Sequence, residues 1–188
     1  MNKKETLELI RKTESPLKRQ LLTVAFISNL LQKKGKETPI VIGGLALSYY
    51  TREVYFTADI DLAYSDRESL DEVLTEIDFK KRGRYWVNED LKIAIEVPVG
   101  VLVGEDAPIE IVELGPELQC KIIGVEDLII DRLNACKHWK SEIDCEMAEL
   151  LVMRYLKELD WVYLEKRARK PENDISTEMK ELKRRAEA

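Results

Sequence analysis

Apolar residues recur at helical spacing from Thr6 to Leu31, at Leu7, Ile10, Leu17, Leu21, Leu22, Val24, Ala25, Ile27 and Leu31. Ser15-Pro16 interrupts the run and predicts two helices, with Ser15 as the N-cap of the second, Pro16 in its first turn and Gly35 as its stop. Pro39-Ile40-Val41-Ile42 is a short β-branched run closed by Gly43-Gly44, after which Leu45 to Tyr50 reads as a helix. This is a strand, glycine turn and helix unit. Phe56 to Ala63 is β-rich, and Glu68 to Phe79 is amphipathic at helical period. Arg84 to Val87 and Leu91 to Val99 read as paired strands joined at Asn88-Glu89-Asp90, and Pro108 to Leu114 as one more strand.

After Gly124 the pattern turns almost wholly helical, over Val125 to Trp139 and Glu142 to Leu159. Pro171-Glu172-Asn173-Asp174 is expected to break the last helix, leaving a Lys/Glu/Arg-rich tail that is either a solvated helix or frayed. The expected organisation is an α+β core with N-terminal helices over 1–123, a helical region over 124–170 and a charged tail over 171–188. No repeat or low-complexity tract occurs.

Composition narrows the class. The chain has 188 residues, 45% hydrophobic and 35% charged, with no apolar run of the roughly 18 residues that a membrane span needs. Met1 to Glu5 is charged and is not followed by the apolar segment of a secretory leader, so a cytoplasmic protein without membrane partners is expected. Thirty Lys+Arg against 36 Asp+Glu give a net charge of −6, so a polyanion would be drawn only to a local basic patch. Cys120, Cys136 and Cys145 show no C-x-x-C spacing and are expected to be reduced and buried. A single histidine, His138, excludes a His-rich zinc site.

The informative chemistry is Asp59-Ile60-Asp61-Leu62. On a strand, residues i and i+2 share a face, so Asp59 and Asp61 stand side by side, with Cα atoms about 6.5–7 Å apart, while Ile60 and Leu62 point to the other face. Such a pair suits a hard divalent ion such as Mg²⁺ or Mn²⁺, the alternative being two exposed acids without function. In Leu91 to Pro98, Ile93, Ile95 and Val97 fill one face and Glu96 projects from the other. Should that strand lie beside Asp59 and Asp61, three carboxylates meet as a two-metal phosphoryl- or nucleotidyl-transfer site requires. Gly43 and Gly44 permit close approach of the backbone to a phosphate at a helix start, and Ser48 lies one turn further on. Tyr85 and Trp86 read as core aromatics, with base stacking the alternative. Lys166 to Lys170 reads as a solvated basic run.

Taken in order, Ile42-Gly43-Gly44, then Asp59-Ile60-Asp61-Leu62, then the acid Glu96, the chain resembles the DNA polymerase β-type nucleotidyltransferase superfamily, especially its small stand-alone bacterial and archaeal members. The likeness covers about residues 38–100, and the segment opening with Val125-Glu126-Asp127-Leu128 is similar to uncharacterised proteins of the group. Fourteen residues separate Gly44 from Asp59, more than the family pattern leads one to expect, and Glu96 stands where aspartate is commoner. Tyr55 stands where an arginine is often found, with Arg52 its nearest substitute.

The resemblance implies a nucleotidyltransferase-like mixed sheet flanked by helices, with a C-terminal helical region. It implies transfer of a nucleoside monophosphate from a nucleoside triphosphate to a hydroxyl acceptor in RNA (tRNA for example), a protein or a small molecule. Asp59, Asp61 and Glu96 would be catalytic and hold Mg²⁺ or Mn²⁺, with Glu96 as general base; Gly43, Gly44, Ser48 and Arg52 would bind the nucleotide, with Arg84 and Lys92 as further cations. Relatives include toxin–antitoxin nucleotidyltransferases. The alternative is a non-catalytic, antitoxin-like module that binds nucleotide or a partner on the same fold.

Overall fold

The structure is a computed structural model that describes residues 2–98 and 107–187. The chain falls into two compact units, one running through the last strand of the sheet and one made largely of the helices after Gly124.

Two helices open the first unit, α1 (Lys3–Lys12) and α2 (Pro16–Lys33). The first begins three residues earlier than the apolar spacing indicates, because Asn2 and Glu5 form a reciprocal capping box. Ser15 caps α2 by accepting from the Lys18 N–H, and Pro16 occupies its first turn. Past its end Gly35, at φ 70°, gives its N–H to the Gln32 carbonyl. From Gln20 to Ser28 every residue of α2 is buried, so this helix is enclosed rather than merely amphipathic.

The remaining elements of this unit are β1 (Ile40–Ile42), α3 (Gly43–Tyr50), β2 (Asp59–Ala63), α4 (Arg67–Glu76), β3 (Lys80–Arg82), β4 (Tyr85–Asn88), β5 (Ile93–Glu96), β6 (Ile109–Gly115) and β7 (Leu118–Ile123). The strands form one mixed seven-stranded sheet in the order β3-β4-β5-β2-β1-β7-β6. β2 runs parallel to β5 and antiparallel to β1, which in turn runs parallel to β7. Val41, Ile60, Leu62, Ile93, Ile95 and Ile122 are buried, while Asp59, Asp61 and Glu96 alternate with them and are half-buried. The two faces of the sheet are thus an apolar core face and a face carrying acids. The pairing of β4 with β5 matches the sequence pattern; Val99, the expected last residue of the second strand, lies outside the described residues. Periodicity misses β3, whose three residues Lys80, Lys81 and Arg82 are all exposed, and also β7.

The second unit contains α5 (Val125–His138), α6 (Glu142–Tyr155), α7 (Trp161–Ala168) and α8 (Ser176–Ala186). Asp127 is buried and accepts from the Tyr163 hydroxyl at 2.8 Å and from Arg167 Nε at 3.3 Å, so its charge has partners. Arg132 joins Asp131 on its own helix to Asp144 on α6. Met179 and Leu182 of α8 are buried, which makes the charged segment a packed amphipathic helix rather than a frayed end.

Only one of the three cysteines expected to be reduced is a free thiol. Cys136 and Cys145 form a disulfide between α5 and the start of α6, where the turn at Trp139-Lys140-Ser141 brings the two helices together. Cys120 alone is a free cysteine; it is buried, and burial pushes its thiol up to about 12. Among the described residues no helix is long and apolar enough to cross a membrane.

Candidate metal and nucleotide site

The site grows from the junction of β1 with α3. The chain leaves β1 at Ile42 and enters α3 through Gly43 at φ +58°, a conformation that costs an L residue about 1–2 kcal/mol. A Cβ on Gly43 would lie 2.4 Å from Asp61 Oδ2, and one on Gly44 would lie 2.8 Å from Thr57 Oγ1. Both glycines are therefore required by close approach to β2 and its preceding loop. Ile42, the residue before α3, has no side chain that can cap it, and the first turn presents the positive end of the helix dipole.

Asp59 and Asp61 stand on one face of β2, and the parallel register sets Asp61 directly opposite Glu96 on β5. Each of the three carboxylates offers an oxygen, and these oxygens lie within 4.8 Å of one another. All three side chains are half-buried, which limits hydration while leaving an approach from solvent. An all-oxygen, all-carboxylate donor set at this spacing fits a hard divalent cation, Mg²⁺ or Mn²⁺, and offers nothing to a soft one.

Two residues that the sequence reading passed over fix this arrangement. Thr57 Oγ1 donates to Asp59 Oδ1 at 2.7 Å, turning that carboxylate toward the cluster. Gln20, buried in α2, donates from its side-chain amide to the Thr57 carbonyl at 3.2 Å, with the Asp59 carbonyl at 3.5 Å. No local signal singles out Gln20 among the polar residues of α2; for Thr57 the signal is its position two residues before Asp59.

Ser48 and Arg52 are not part of the cluster. The Ser48 hydroxyl is buried and donates to the Tyr55 carbonyl at 2.8 Å, and Thr51 Oγ1 accepts from the Tyr55 N–H. These bonds fasten the 51–58 loop between α3 and β2. Arg52 is exposed at φ 53° and makes no ion pair among the described residues. Lys92, also in the left-handed region at φ 56°, closes the β4–β5 turn.

The two aromatics of β4 part company. Trp86 is buried on the core face opposite Ile95, whereas Tyr85 lies opposite Glu96 on the acid face. Arg84 stacks on the Tyr85 ring at 4.9 Å and brings Nε within 3.4 Å of Glu96 Oε2. The Tyr85 hydroxyl, and then the charge of Glu96, hold the Arg84 guanidinium above its ordinary value. His138 lies in the other unit, facing the Asn173 carbonyl.

No protein-family model and no curated protein matches this chain.

Proposed function

We propose that the protein is a metal-dependent nucleotidyltransferase that moves a nucleoside monophosphate from a nucleoside triphosphate to a hydroxyl acceptor. One observation carries this reading: Asp59, Asp61 and Glu96 come together from two strands, with the start of α3 packed against β2 where Gly43 meets Asp61. The resemblance to the DNA polymerase β-type superfamily, which rests on the same residues, supports it.

Asp59 and Asp61 would hold Mg²⁺ or Mn²⁺, with Glu96 completing the ligand set. Bound there, such an ion neutralises phosphate charge and acidifies a hydroxyl. The first turn of α3, which Gly43 and Gly44 allow to pack against Asp61 and Thr57, would take the triphosphate, an anion that the helix dipole favours. Glu96 stands on the side of the cluster away from α3, where an acceptor hydroxyl would come in. The acceptor oxygen bonds to the α-phosphorus, the bond from that phosphorus to the bridging oxygen breaks, and pyrophosphate leaves with the electron pair. The hydroxyl proton passes to the Glu96 carboxylate. Arg52 and Ser48, outside the cluster, are given no part in this chemistry.

Convergence of Glu96 on the aspartates favours this reading over a non-catalytic, antitoxin-like binding module, which would need no third acid in that place. A cytoplasmic location goes with a nucleoside triphosphate substrate, and there the Cys136–Cys145 bond would be exposed to thiol exchange. The test is incubation with each nucleoside triphosphate labelled at the α-phosphate, with Mn²⁺ and with RNA, protein or small hydroxylated acceptors. Label transferred by wild type and not by Asp61→Asn is the expected result; no transfer to any acceptor would favour the binding module.

A further inference from the structure

The acid face of the sheet does not end at Glu96. Strand register continues it outward in two rows. Asp61 is opposite Glu96, Glu96 opposite Tyr85, and Tyr85 opposite Arg82; in the second row Asp59, Ala94, Val87 and Lys80 follow one another. Partners in register share a face, so each row starts with an acid on β2 and ends with a cation on β3, three strand spacings or about 14 Å away.

The cations belong to the segment Lys80-Lys81-Arg82-Gly83-Arg84, four basic residues in five in a chain of net charge −6. Lys81 points to the opposite face, where it lies over Trp86 and pairs with Asp71. Lys80 and Arg82 remain on the acid face, and Arg84 reaches back to Glu96 from the turn. Lys80 makes no ion pair among the described residues, Arg82 pairs only with exposed Glu89, and the Arg84 side chain is 70% exposed. Between these cations and the carboxylates lies the half-buried ring of Tyr85.

Resting on the nucleotidyltransferase reading, we propose that the acceptor is the hydroxyl end of a single-stranded nucleic acid, docked on the β3–β4 hairpin. Its terminal hydroxyl lies toward Glu96, its last base stacks on Tyr85, and its phosphates meet Lys80, Arg82 and Arg84. A basic strip with an aromatic platform is the recognition chemistry of single strands, and neither a protein hydroxyl nor a small sugar calls for both. Transfer at this end forms a phosphodiester between the terminal oxygen and the α-phosphorus, with pyrophosphate leaving.

The test is fluorescence anisotropy of a short labelled single-stranded RNA, and of the same sequence as DNA, against salt concentration and without nucleotide. Wild type is expected to bind, and Lys80→Gln/Arg82→Gln/Arg84→Gln to weaken binding at least about 10-fold and flatten the salt slope by about 2. Tyr85→Ala is expected to cost about 5- to 150-fold. RNA bound more tightly than DNA would identify RNA as the acceptor; equal binding would leave either strand as substrate and still support the hairpin. The control Arg184→Gln/Arg185→Gln, on α8, should bind as wild type does. Absence of binding, or binding unchanged in the triple variant, overturns the proposal and leaves these cations as guards of the free sheet edge. Calorimetry of Mn²⁺ and nucleoside triphosphate on the same preparations separates the two failures. Nucleotide bound without RNA sinks only the acceptor assignment; RNA bound without nucleotide sinks the nucleotidyltransferase reading and with it the acceptor role, leaving the hairpin as a single-strand binding surface.

Discussion

A Cβ placed on Gly43 would lie 2.4 Å from Asp61 Oδ2, so the turn into α3 and the carboxylate on β2 occupy adjoining space that only a glycine leaves free. The backbone that would hold a phosphate and the side chain that would hold a metal are thereby fixed to each other. Any side chain at position 43 must push Asp61 away or bend the turn.

Gly43→Ala should therefore damage the site more than the fold. The left-handed φ alone costs about 1–2 kcal/mol, or a fall in Tm of about 2–8 °C. Displacing Asp61 should weaken metal-dependent nucleotide binding by about 10-fold or more. Thermal melts and calorimetry on the same variant read the two effects separately. Unchanged nucleotide affinity would show that the contact has no bearing on the site.

Thr57→Val removes the hydroxyl that donates to Asp59 while keeping the shape of the side chain. We expect stability to move by about 1 kcal/mol or less, metal affinity to fall several-fold, and Thr57→Ser to restore it. Mn²⁺ titration followed by electron paramagnetic resonance gives the affinities. Equal affinities in all three proteins would reduce Thr57 to a filler beneath Gly44.

The core of this site was legible because its parts are local. Asp59 and Asp61 share a face by strand alternation, and Gly43-Gly44 lies between a β-branched run and a helix. Meeting Glu96 depends on the parallel pairing of β2 with β5, which no short window contains. Gln20 was not legible for the same reason: it contacts a carbonyl 37 residues away. Ser48 has the right position for a nucleotide contact, yet its hydroxyl is needed by the Tyr55 carbonyl where the loop is fastened. β3 carries no apolar alternation, so its pairing with β4 could be seen only in space. The helices of the second unit were readable from period and caps, but the Cys136–Cys145 bond depends on how α5 and α6 turn back on each other.

The acid branch of the stability curve should report Asp66. This residue caps α4, and the Lys36 ammonium at 2.9 Å, followed by the Ser69 N–H and hydroxyl, holds its carboxyl down to about 2. A folded value below the ordinary 3.8 means that the ionised form stabilises the native state above that pH, and that this contribution is lost as pH falls through about 2. Asp66→Asn keeps a capping oxygen and loses the titration. Urea midpoints measured in steps from about pH 5 to pH 2 should fall more steeply in wild type than in Asp66→Asn. Parallel curves would count against the Lys36 pairing.

Cysteine alkylation tests the second unit. Denatured without reductant, the protein should take up label at Cys120 alone; after reduction it should take up label at Cys120, Cys136 and Cys145. Opening the short loop between Cys136 and Cys145 should cost about 2–3 kcal/mol, and reductant should lower Tm by about 5–10 °C. Full labelling without reductant would contradict the bond.

Whether Asp59, Asp61 and Glu96 hold a divalent ion against a nucleoside triphosphate is read by isothermal calorimetry. Each of the ribonucleoside triphosphates is titrated into wild type and into Asp59→Asn/Asp61→Asn, with Mg²⁺, with Mn²⁺ and with chelator. Binding should require the metal in wild type and be weakened by at least about 10-fold in the double variant, with the fold intact by circular dichroism. Nucleotide binding that ignores both the metal and the two aspartates, or no binding under any of these conditions, would contradict that role.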